Sequence, residues 1–182
     1  MKTLETALSG VFLIEPKVHA DSRGYFIESY NSRTFQEHGI SHSFVQDNHS
    51  LSVEAGTIRG LHYQNSPKSQ TKLIRVLTGA ICDVVVDIRK SSPTFGKWIS
   101  VILSEANQRQ LLIPKGFAHG FCTIAANTQI FYKVDEFYSP EHDRGIIWND
   151  PSIGIDWPVS NPILSDKDQR LPLLQDADIH FE

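Results

Sequence analysis

The chain has 182 residues, enough for one compact domain with a substantial core, and its 40% hydrophobic and 21% charged residues are typical of a globular protein. A count of 17 Lys and Arg against 21 Asp and Glu gives a formal net charge of -4, which argues against a general nucleic-acid binder with a basic face. No run approaches the roughly 18 apolar residues of a membrane span, and no secretory signal is visible, so we expect a cytoplasmic protein without a membrane partner.

Ten short β-rich runs follow one another along the chain, separated by Gly, Pro, Asn, Asp or Ser. They cover residues 11–15, 25–30, 44–53, 57–64, 71–78, 80–89, 97–104, 110–113, 117–124 and 128–137. One helix is predicted over residues 32–38, where Asn31 can cap it and Gly39 can end it. Strands at this spacing with almost no helix indicate a sandwich or barrel.

The last 35 or so residues, 148–182, lose the alternating pattern and are rich in Pro, Asp and Asn. This segment could be a linker, but its apolar residues predict that it packs back over the domain: Trp157, Ile163, Leu164 and Leu171. The two cysteines, Cys82 and Cys122, lie inside apolar runs. We expect both to be buried, reduced thiols, as in a cytoplasmic protein.

Three polar residues fall in phase with apolar residues two positions away, and strand alternation therefore points them toward the interior. Lys72 is in phase with Ile74 and Val76, Tyr132 with Ile130 and Val134, and His119 with Phe117 and Phe121. Each has an ordinary alternative: a lysine that reaches solvent from an edge strand, and a core tyrosine or histidine with satisfied hydrogen bonds. The three together, in a barrel that can enclose a ligand, favour a binding site.

Arg59 and His62 present a geometric difficulty, since strict alternation puts residues three positions apart on opposite faces. A bulge at Gly60 would bring both side chains to one cavity. Without a bulge, Arg59 would act from the rim of the cavity or on a partner subunit. Surface solvation is the ordinary alternative for this arginine.

Two glycine-containing segments, 60–79 and 116–119, resemble the two motifs of a cupin barrel. Metal-binding cupins carry His-x-His followed by Glu in the first motif and a further His in the second. Here the first motif reads His62-Tyr63-Gln64, and Lys72 stands where an acid is expected. His62 and His119 alone are too few for a transition metal, which needs three or four protein ligands. We therefore predict no metal and no other cofactor.

Six segments in order resemble the dTDP-4-dehydrorhamnose 3,5-epimerase family over nearly the whole chain. They are DSRGYFIE at 21–28, FVQDNHS at 44–50, IRGLHYQ at 58–64, KLIRV at 72–76, PKGFAHGF at 114–121 and SDKD at 165–168. The resemblance implies an all-β cupin-type jelly-roll barrel with a few short helices. It implies one domain over residues 1–182, with a barrel core at 31–147 and a C-terminal segment at 148–182. It also implies a homodimer that exchanges the N-terminal strands within residues 1–30.

The same resemblance implies the roles of individual residues. His62 would be the general base, Asp168 its orienting carboxylate, Lys72 the cation beside the sugar ketone, and Tyr132 the general acid. The implied substrate-binding residues are Arg23, Phe26, Glu28, Gln46, Asp47, Asn48, Arg59, His119, Phe121, Tyr138, Asp143 and Lys167. Asp143 departs from the family, which usually has a glutamate there; the shorter acid keeps the charge but has less reach.

The implied function is epimerisation at C3 and C5 of dTDP-4-dehydro-6-deoxy-D-glucose, without a redox cofactor, on the route to dTDP-L-rhamnose. Epimerisation at one carbon alone and 3,4-ketoisomerisation of a related sugar nucleotide are the nearest alternatives. A non-catalytic cupin that only binds a nucleotide sugar is a third alternative. The joint presence of His62, Tyr132 and Asp168 argues against it, because binding alone requires no paired base and acid.

Overall fold

The computed structural model describes residues 1–182, and β-strands dominate it. The strands are β1 (Lys2–Glu5), β2 (Phe12–Glu15), β3 (Val18–Asp21), β4 (Gly24–Ile27), β5 (Gln46–Ser52), β6 (Ile58–Gln64), β7 (Lys72–Thr78), β8 (Ala80–Asp87), β9 (Trp98–Ser104), β10 (Gln110–Ile113), β11 (Phe117–Thr123), β12 (Thr128–Val134) and β13 (Asp143–Gly145). One α-helix, α1, spans Ser32–Glu37, and short 3-10 helices span Asp168–Arg170 and Leu174–Asp176. None of these helices has the length and apolar character that crossing a membrane requires.

All ten predicted strands are present, and their ends differ from the prediction by at most three residues. The strand predicted to reach Tyr30 ends at Ile27, because Ile27 pairs with Val18, the first residue of the partner strand β3. The Tyr30 ring packs edge-on against Phe35 and Phe44 at centroid distances of 5.0 and 5.3 Å. Strands β1, β3 and β13 were not predicted. They have only three or four residues, too few for an alternating pattern to show, and they form by pairing with a neighbouring strand.

Helix α1 begins and ends where its flanking residues predict. The Asn31 side chain accepts hydrogen bonds from the backbone N–H groups of Arg33 (3.0 Å) and Thr34 (3.4 Å), which would otherwise lack partners. After the helix, Gly39 adopts a φ of 80°, a left-handed conformation that glycine tolerates best. Phe35 is the buried residue of the helix and packs with Ile14 and Leu73, which holds α1 against the barrel.

Two antiparallel sheets face each other. The six-stranded sheet has the order β1-β2-β10-β7-β12-β5, and the five-stranded sheet has the order β13-β6-β11-β8-β9. Few sequential strands are neighbours, so the chain crosses repeatedly between the sheets, as in a jelly roll. The prediction of a cupin-type jelly-roll barrel is confirmed. Strands β3 and β4 pair only with each other and form a separate hairpin.

Apolar side chains cover both faces of the five-stranded sheet. Between the sheets, Ile74 and Ile130 from the six-stranded sheet pack with Val85 from β8. On the outer side, Val84 and Val86 pack against the C-terminal segment, whose contributions include Trp157, Leu164, Ile179 and Phe181. Strand β8 is therefore buried on both faces and lacks alternation.

The C-terminal segment thus packs over the barrel, as predicted, rather than forming a linker. Trp157 and Leu164, two of the apolar residues expected to pack against the domain, belong to this cluster. Leu171 lies against Gly145, so close that a side chain at Gly145 would meet its methyl groups at 2.7 and 2.9 Å. Ile163 is different: its side chain is 49% exposed, and it is held by a backbone bridge to Thr57.

Candidate active site

A cavity of about 330 Å³ opens between the two sheets. We call this cavity the first lobe. It is lined by Ser50, Arg59, His62, Lys72, Ile74, His119, Phe121, Ile130, Tyr132, Ser165, Lys167 and Asp168. A second lobe of about 340 Å³ shares four of these residues, His62, Lys72, Tyr132 and Lys167, so the two lobes are continuous. The second lobe adds Gln46, Asn48, Tyr63, Gln64, Gln70, Tyr138 and Asp143.

Opposite sheets supply the polar groups of the first lobe. His62 on β6 and His119 on β11 come from the five-stranded sheet and are directly paired in register. Lys72 on β7 and Tyr132 on β12 come from the six-stranded sheet. The alternation that predicted inward-facing Lys72, Tyr132 and His119 is thereby confirmed. A ligand between the sheets would have imidazoles on one side and an ammonium and a phenol on the other.

A bulge at Gly60 places Arg59 and His62 in the same cavity, which is the first of the alternatives that the sequence left open. His119 pairs with His62, but Phe121 pairs with Arg59, so two residues of β6 stand opposite one residue of β11. Gly60 has a φ of 124°, and a Cβ atom there would lie 2.6 Å from the Gly120 Cα. No other residue type fits without displacing the backbone, because both the φ and the close approach require glycine.

A hydrogen bond of 2.6 Å joins His62 Nε2 to Asp168 Oδ1. Burial by itself would raise the pKa of Asp168, but hydrogen bonds from His62, Ser165 and the Gly60 backbone hold this pKa below its usual value. A carboxylate accepts and does not donate, so it directs the imidazole proton to Nε2 and leaves the lone pair on His62 Nδ1. This geometry is that of an oriented general base.

Ser165 fixes the carboxylate end of this pair. Its hydroxyl accepts a hydrogen bond of 3.1 Å from the backbone N–H of Asp168, at the start of the 3-10 helix in the C-terminal segment. Asp168 itself is only 3% exposed. Sequence reasoning missed Ser165, although the Ser-x-x-Asp spacing of residues 165–168 is a capping pattern that marks such a turn.

The Lys72 ammonium group lies in a mostly enclosed part of the cavity. Its hydrogen-bond partner is the His62 carbonyl, at a long 3.4 Å, and no carboxylate lies within 4.0 Å of it. Burial lowers the pKa of Lys72 to about 8, against the opposing influence of Asp143 and Asp83. Lys72 is thus a cation at neutral pH whose N–H groups are largely free to bind an oxygen of a ligand.

Tyr132 faces the cavity as a neutral phenol. Burial raises its pKa, with a smaller opposing influence from Arg59 and a further increase from Asp143. A phenol with a raised pKa keeps its proton at neutral pH and can donate it to a strongly basic carbon. Tyr132 therefore has the character of a general acid rather than a base.

The second lobe carries a preformed polar network. The Lys167 ammonium lies 2.5 Å from Asp143 Oδ2, and the Tyr138 hydroxyl donates to the same oxygen at 3.2 Å. The aspartate at 143 therefore reaches both groups despite its shorter side chain. Gln46 donates to Asn48 at 2.9 Å and accepts from the Tyr138 backbone at 3.1 Å. Hydrogen-bond donors and two lysines, Lys72 and Lys167, line this lobe, which suits a polar, anionic ligand.

Eight of the twelve predicted substrate-binding residues line the two lobes: Gln46, Asn48, Arg59, His119, Phe121, Tyr138, Asp143 and Lys167. Asp47 does not, because it lies on the outer face of β5 and pairs there with Lys133 at 2.9 Å. Strand alternation separates it from Gln46 and Asn48, so the geometry gives no support to a substrate contact by Asp47 within its own chain.

Arg23, Phe26 and Glu28 are also absent from the cavity of their own chain. Arg23 lies on the β3–β4 hairpin, which contacts the barrel through the Tyr25 hydroxyl and Gln108 at 3.0 Å, and its side chain is 88% exposed and bound to Asp21 at 2.6 Å. Phe26 is 68% exposed on the same hairpin. Glu28 follows β4 and lies beside a different surface depression. A single chain therefore does not bring these three residues to the candidate site.

The most deeply buried site residue was missed by sequence reasoning. Asp83 on β8 is 0% exposed, and its two oxygens lie 2.9 and 3.1 Å from His119 Nε2. An acid inside the apolar run of residues 81–86 is the signal that could have found it, because a buried carboxylate requires a partner. No group of three or more His, Cys, Asp or Glu side chains is placed to hold a metal ion.

Comparison with known proteins gives similarity along nearly the whole chain. A family model described as dTDP-4-dehydrorhamnose 3,5-epimerase matches residues 5–176. A relative of that name from Shigella flexneri is 53% identical over 179 residues, or 98% of each chain. Among solved structures, the chain resembles dTDP-4-dehydrorhamnose 3,5-epimerase from Bacillus anthracis, crystallised with TDP and PPi bound. The two sequences are 59% identical, the TM-score is 0.93, and the match covers 94% of this chain and 98% of that one. The crystal structure of dTDP-6-deoxy-D-glucose-3,5-epimerase from Legionella pneumophila, in complex with dTDP-4-keto-L-rhamnose, is 46% identical with a TM-score of 0.93, and the match covers 97% and 94% of the two chains.

Proposed function

The chain belongs to the dTDP-4-dehydrorhamnose 3,5-epimerase family, and from this premise we propose that it inverts C3 and C5 of dTDP-4-dehydro-6-deoxy-D-glucose. The product is dTDP-4-dehydro-L-rhamnose, and the reaction belongs to dTDP-L-rhamnose biosynthesis. The observation that carries the assignment is the placement of an oriented base, His62 with Asp168, across one cavity from a cation and a phenol. Such a set is suited to removing a proton from one face of a sugar ring and returning one to the other.

The chemistry requires a base, an enolate stabiliser and an acid. His62 Nδ1 takes the proton from C3 or C5, and the electron pair of the broken C–H bond moves into the C4 carbonyl to form an enolate. Each pKa unit between base and carbon acid costs about 1.36 kcal/mol, so most of the gap must be closed by stabilising the enolate oxygen. The Lys72 ammonium supplies that stabilisation from within a mostly enclosed cavity.

Tyr132 completes the inversion. It donates its phenolic proton to the carbon from the face opposite His62 as the enolate collapses back to the ketone. The resulting phenolate and imidazolium then return to their starting states by exchange with solvent. Because both carbons flank the same ketone, one base, one cation and one acid serve both inversions, provided that the sugar shifts or changes pucker between them.

The second lobe is proposed to hold the nucleotide diphosphate. Lys167 lines both lobes and Arg59 lines the first, and both carry charges opposite to those of a diphosphate, which we place where the lobes meet. Arg59 is held by Ser52 and by the Leu51 carbonyl, both at 3.2 Å, so its guanidinium is oriented before a ligand arrives. Gln46 and Asn48 are placed to bind the sugar or nucleotide through neutral hydrogen bonds.

Proton NMR in heavy water tests this function directly. With the 4-keto sugar nucleotide as substrate, we expect deuterium to enter at both C3 and C5 and the L-rhamno product to accumulate. Incorporation at one carbon would identify a single-site epimerase. Binding without any incorporation would identify a non-catalytic nucleotide-sugar protein and overturn the assignment.

A homodimer with exchanged N-terminal strands is proposed to complete each site. The β3–β4 hairpin pairs only with itself and exposes Tyr25 (59%) and Phe26 (68%), which are unusual on a free hairpin. If the hairpin crosses to a second copy, Arg23, Phe26 and Glu28 reach the partner's cavity, which they do not reach in their own chain. A cytoplasmic location also stays a prediction, supported by two buried cysteines that form no disulfide.

Mixing two defective variants tests the exchange. Arg23→Ala and His62→Ala homodimers are each expected to be impaired at subsaturating substrate. After joint refolding, half of the dimers are mixed, and one of the two sites in each mixed dimer is intact, so about a quarter of the parent activity should return. Sedimentation of the refolded sample controls for dimer formation. Absence of any recovery, or a fully active monomer, would contradict the exchange.

Independence from metal is a separate prediction. Gln64 and Lys72 stand where a metal-binding cupin has ligands, and Lys72 would repel a cation. Prolonged dialysis against a strong chelator should leave kcat unchanged within about twofold, and elemental analysis should find no stoichiometric transition metal. Loss of activity that is restored by one particular metal would show the prediction to be wrong.

A further inference from the structure

Asp83 is a buried carboxylate that the mechanism above does not use. It lies in the middle of β8, is completely inaccessible, and contacts His119 Nε2 with both oxygens. His119 and His62 are neighbours in register on β11 and β6, so two His–Asp pairs meet at one cavity. Removing a carboxylate from water costs free energy, so the burial of Asp83 lowers the stability of the fold unless its contacts offset that cost.

The contact determines which nitrogen of His119 faces the ligand. A carboxylate can only accept, so His119 Nε2 carries the proton and Nδ1 carries the lone pair. Nδ1 has no hydrogen-bond partner in the protein and is not sealed from the cavity. Burial lowers the pKa of His119; Asp83 opposes this change, and Lys72 and His62 add to it. A neutral His119 can therefore accept a hydrogen bond from a sugar hydroxyl.

The charge of Asp83 also acts on Lys72. Of the other acids near the cavity, Asp143 is bound to the Lys167 ammonium at 2.5 Å, whereas Asp168 is bound to the His62 imidazole at 2.6 Å. Asp83, like Asp168, is hydrogen-bonded to an imidazole, so no lysine or arginine cancels its charge at contact distance. It acts on Lys72 through space and leaves the ammonium N–H groups free.

We propose that Asp83 is a positioning residue of this site, with two effects that rest on the proposed function. It holds His119 in the tautomer whose Nδ1 accepts from the sugar, and it places a carboxylate directly behind an imidazole that lines the same cavity as Lys72, without occupying the Lys72 N–H groups. A direct salt bridge to Lys72 would supply the same charge but would compete with the ketone oxygen for those donors.

The titratable and charged groups that share the two lobes with Lys72 are Arg59, His62, Tyr63, His119, Tyr132, Tyr138, Asp143, Lys167 and Asp168, and Asp83 lies behind His119. Neutralising Asp83 alone leaves all of the others in place. The remaining influence on Lys72 is then burial, opposed mainly by Asp143. Removal of the Asp83 charge should therefore make Lys72 lose its proton at lower pH.

The test compares Asp83→Asn with Asp87→Asn, a control on the same strand. Asp87 is equally inaccessible but binds Arg89, Ser92 and Thr94, away from the cavity. For Asp83→Asn we expect kcat to fall by about tenfold to a hundredfold, since a mispositioned group costs that much. The alkaline limb of the kcat profile should move down by about half a pH unit or more. The affinity for dTDP should stay within about twofold, and Asp87→Asn should keep the parent profile.

Nitrogen-15 NMR of the histidines in the unmodified protein gives a second measurement that does not depend on a variant folding. It should find His119 neutral, with its proton on Nε2, at neutral pH and above. A proton on Nδ1, or a charged His119 at pH 7, would overturn the proposal. So would an Asp83→Asn protein with the parent kcat and pH profile. Failure of the unmodified protein to exchange deuterium would instead refute the proposed function while leaving the tautomer result intact.

Discussion

Replacement of His62 by alanine is expected to remove proton exchange at both C3 and C5. The Asp168 carboxylate orients the His62 imidazole as a general base. A general base of this kind contributes about 10²–10⁴-fold to the rate. Deuterium incorporation from heavy water should fall by that factor at both carbons. Binding of dTDP should change little, because His62 is proposed to act on the sugar ring and the diphosphate is proposed to be bound by Arg59 and Lys167.

A matched control for this substitution is His49→Ala. His49 lies on the outer face of β5, where it bonds to Gln129 at 3.1 Å, so its loss should leave exchange at the parent rate. Asp168→Asn should retain more activity than His62→Ala, because it disturbs the tautomer of the base and does not delete it. Normal deuterium incorporation in the His62→Ala protein would refute the assignment of the base.

Replacements of Lys72 and Tyr132 are expected to impair different steps of the reaction, formation of the enolate and return of the proton. Lys72→Met deletes the charge that stabilises the enolate, so exchange and inversion should fall together by about 10²–10³-fold. Tyr132→Phe deletes only the returned proton and keeps the ring packing. His62 can still remove and replace a proton on its own face, so exchange should continue with little inversion. The ratio of deuterium incorporation to epimer formation distinguishes the two.

Lys72→Met should also stabilise the protein, which separates loss of activity from loss of folding. The folded-state pKa of about 8 lies below the ordinary value of 10.5, so the charged lysine opposes folding below pH 8. Its removal should raise the free energy of unfolding at pH 7 by about 1–3 kcal/mol, after allowance for partial exposure to the cavity. This gain should shrink between pH 8 and 10.5 and vanish above. In the parent enzyme, kcat should decline as pH rises through about 8.

Two results would contradict these assignments. If Tyr132→Phe forms the epimer at the parent rate, another group or a water molecule returns the proton. If Lys72→Met exchanges deuterium normally, the enolate oxygen is stabilised elsewhere. Urea unfolding of both variants is the control, since neither should be less stable than the parent by more than about 2 kcal/mol.

The sequence by itself determined those features that depend on local backbone geometry. Strand alternation predicted that Lys72, Tyr132 and His119 face inward, and the period-2 rule holds within any one strand regardless of its partners. Gly60 marked the place where a bulge could bring Arg59 to the His62 side, and the structure has that bulge, with a φ and a close approach that favour glycine. The same alternation already separated Asp47 from Gln46, although similarity to a family motif had grouped them.

Only the tertiary structure decided which distant residues meet. Asp168 is 106 positions from His62, and Asp83 is 36 positions from His119, so neither pairing follows from any local period. The first depends on the C-terminal segment folding back over the barrel, and the second on the register between β8 and β11. The inaccessible outer face of β8 likewise results from that packing. Such contacts arise from the burial of apolar surface between segments, a property of the whole chain, whereas alternation and glycine conformations are properties of a few adjacent residues.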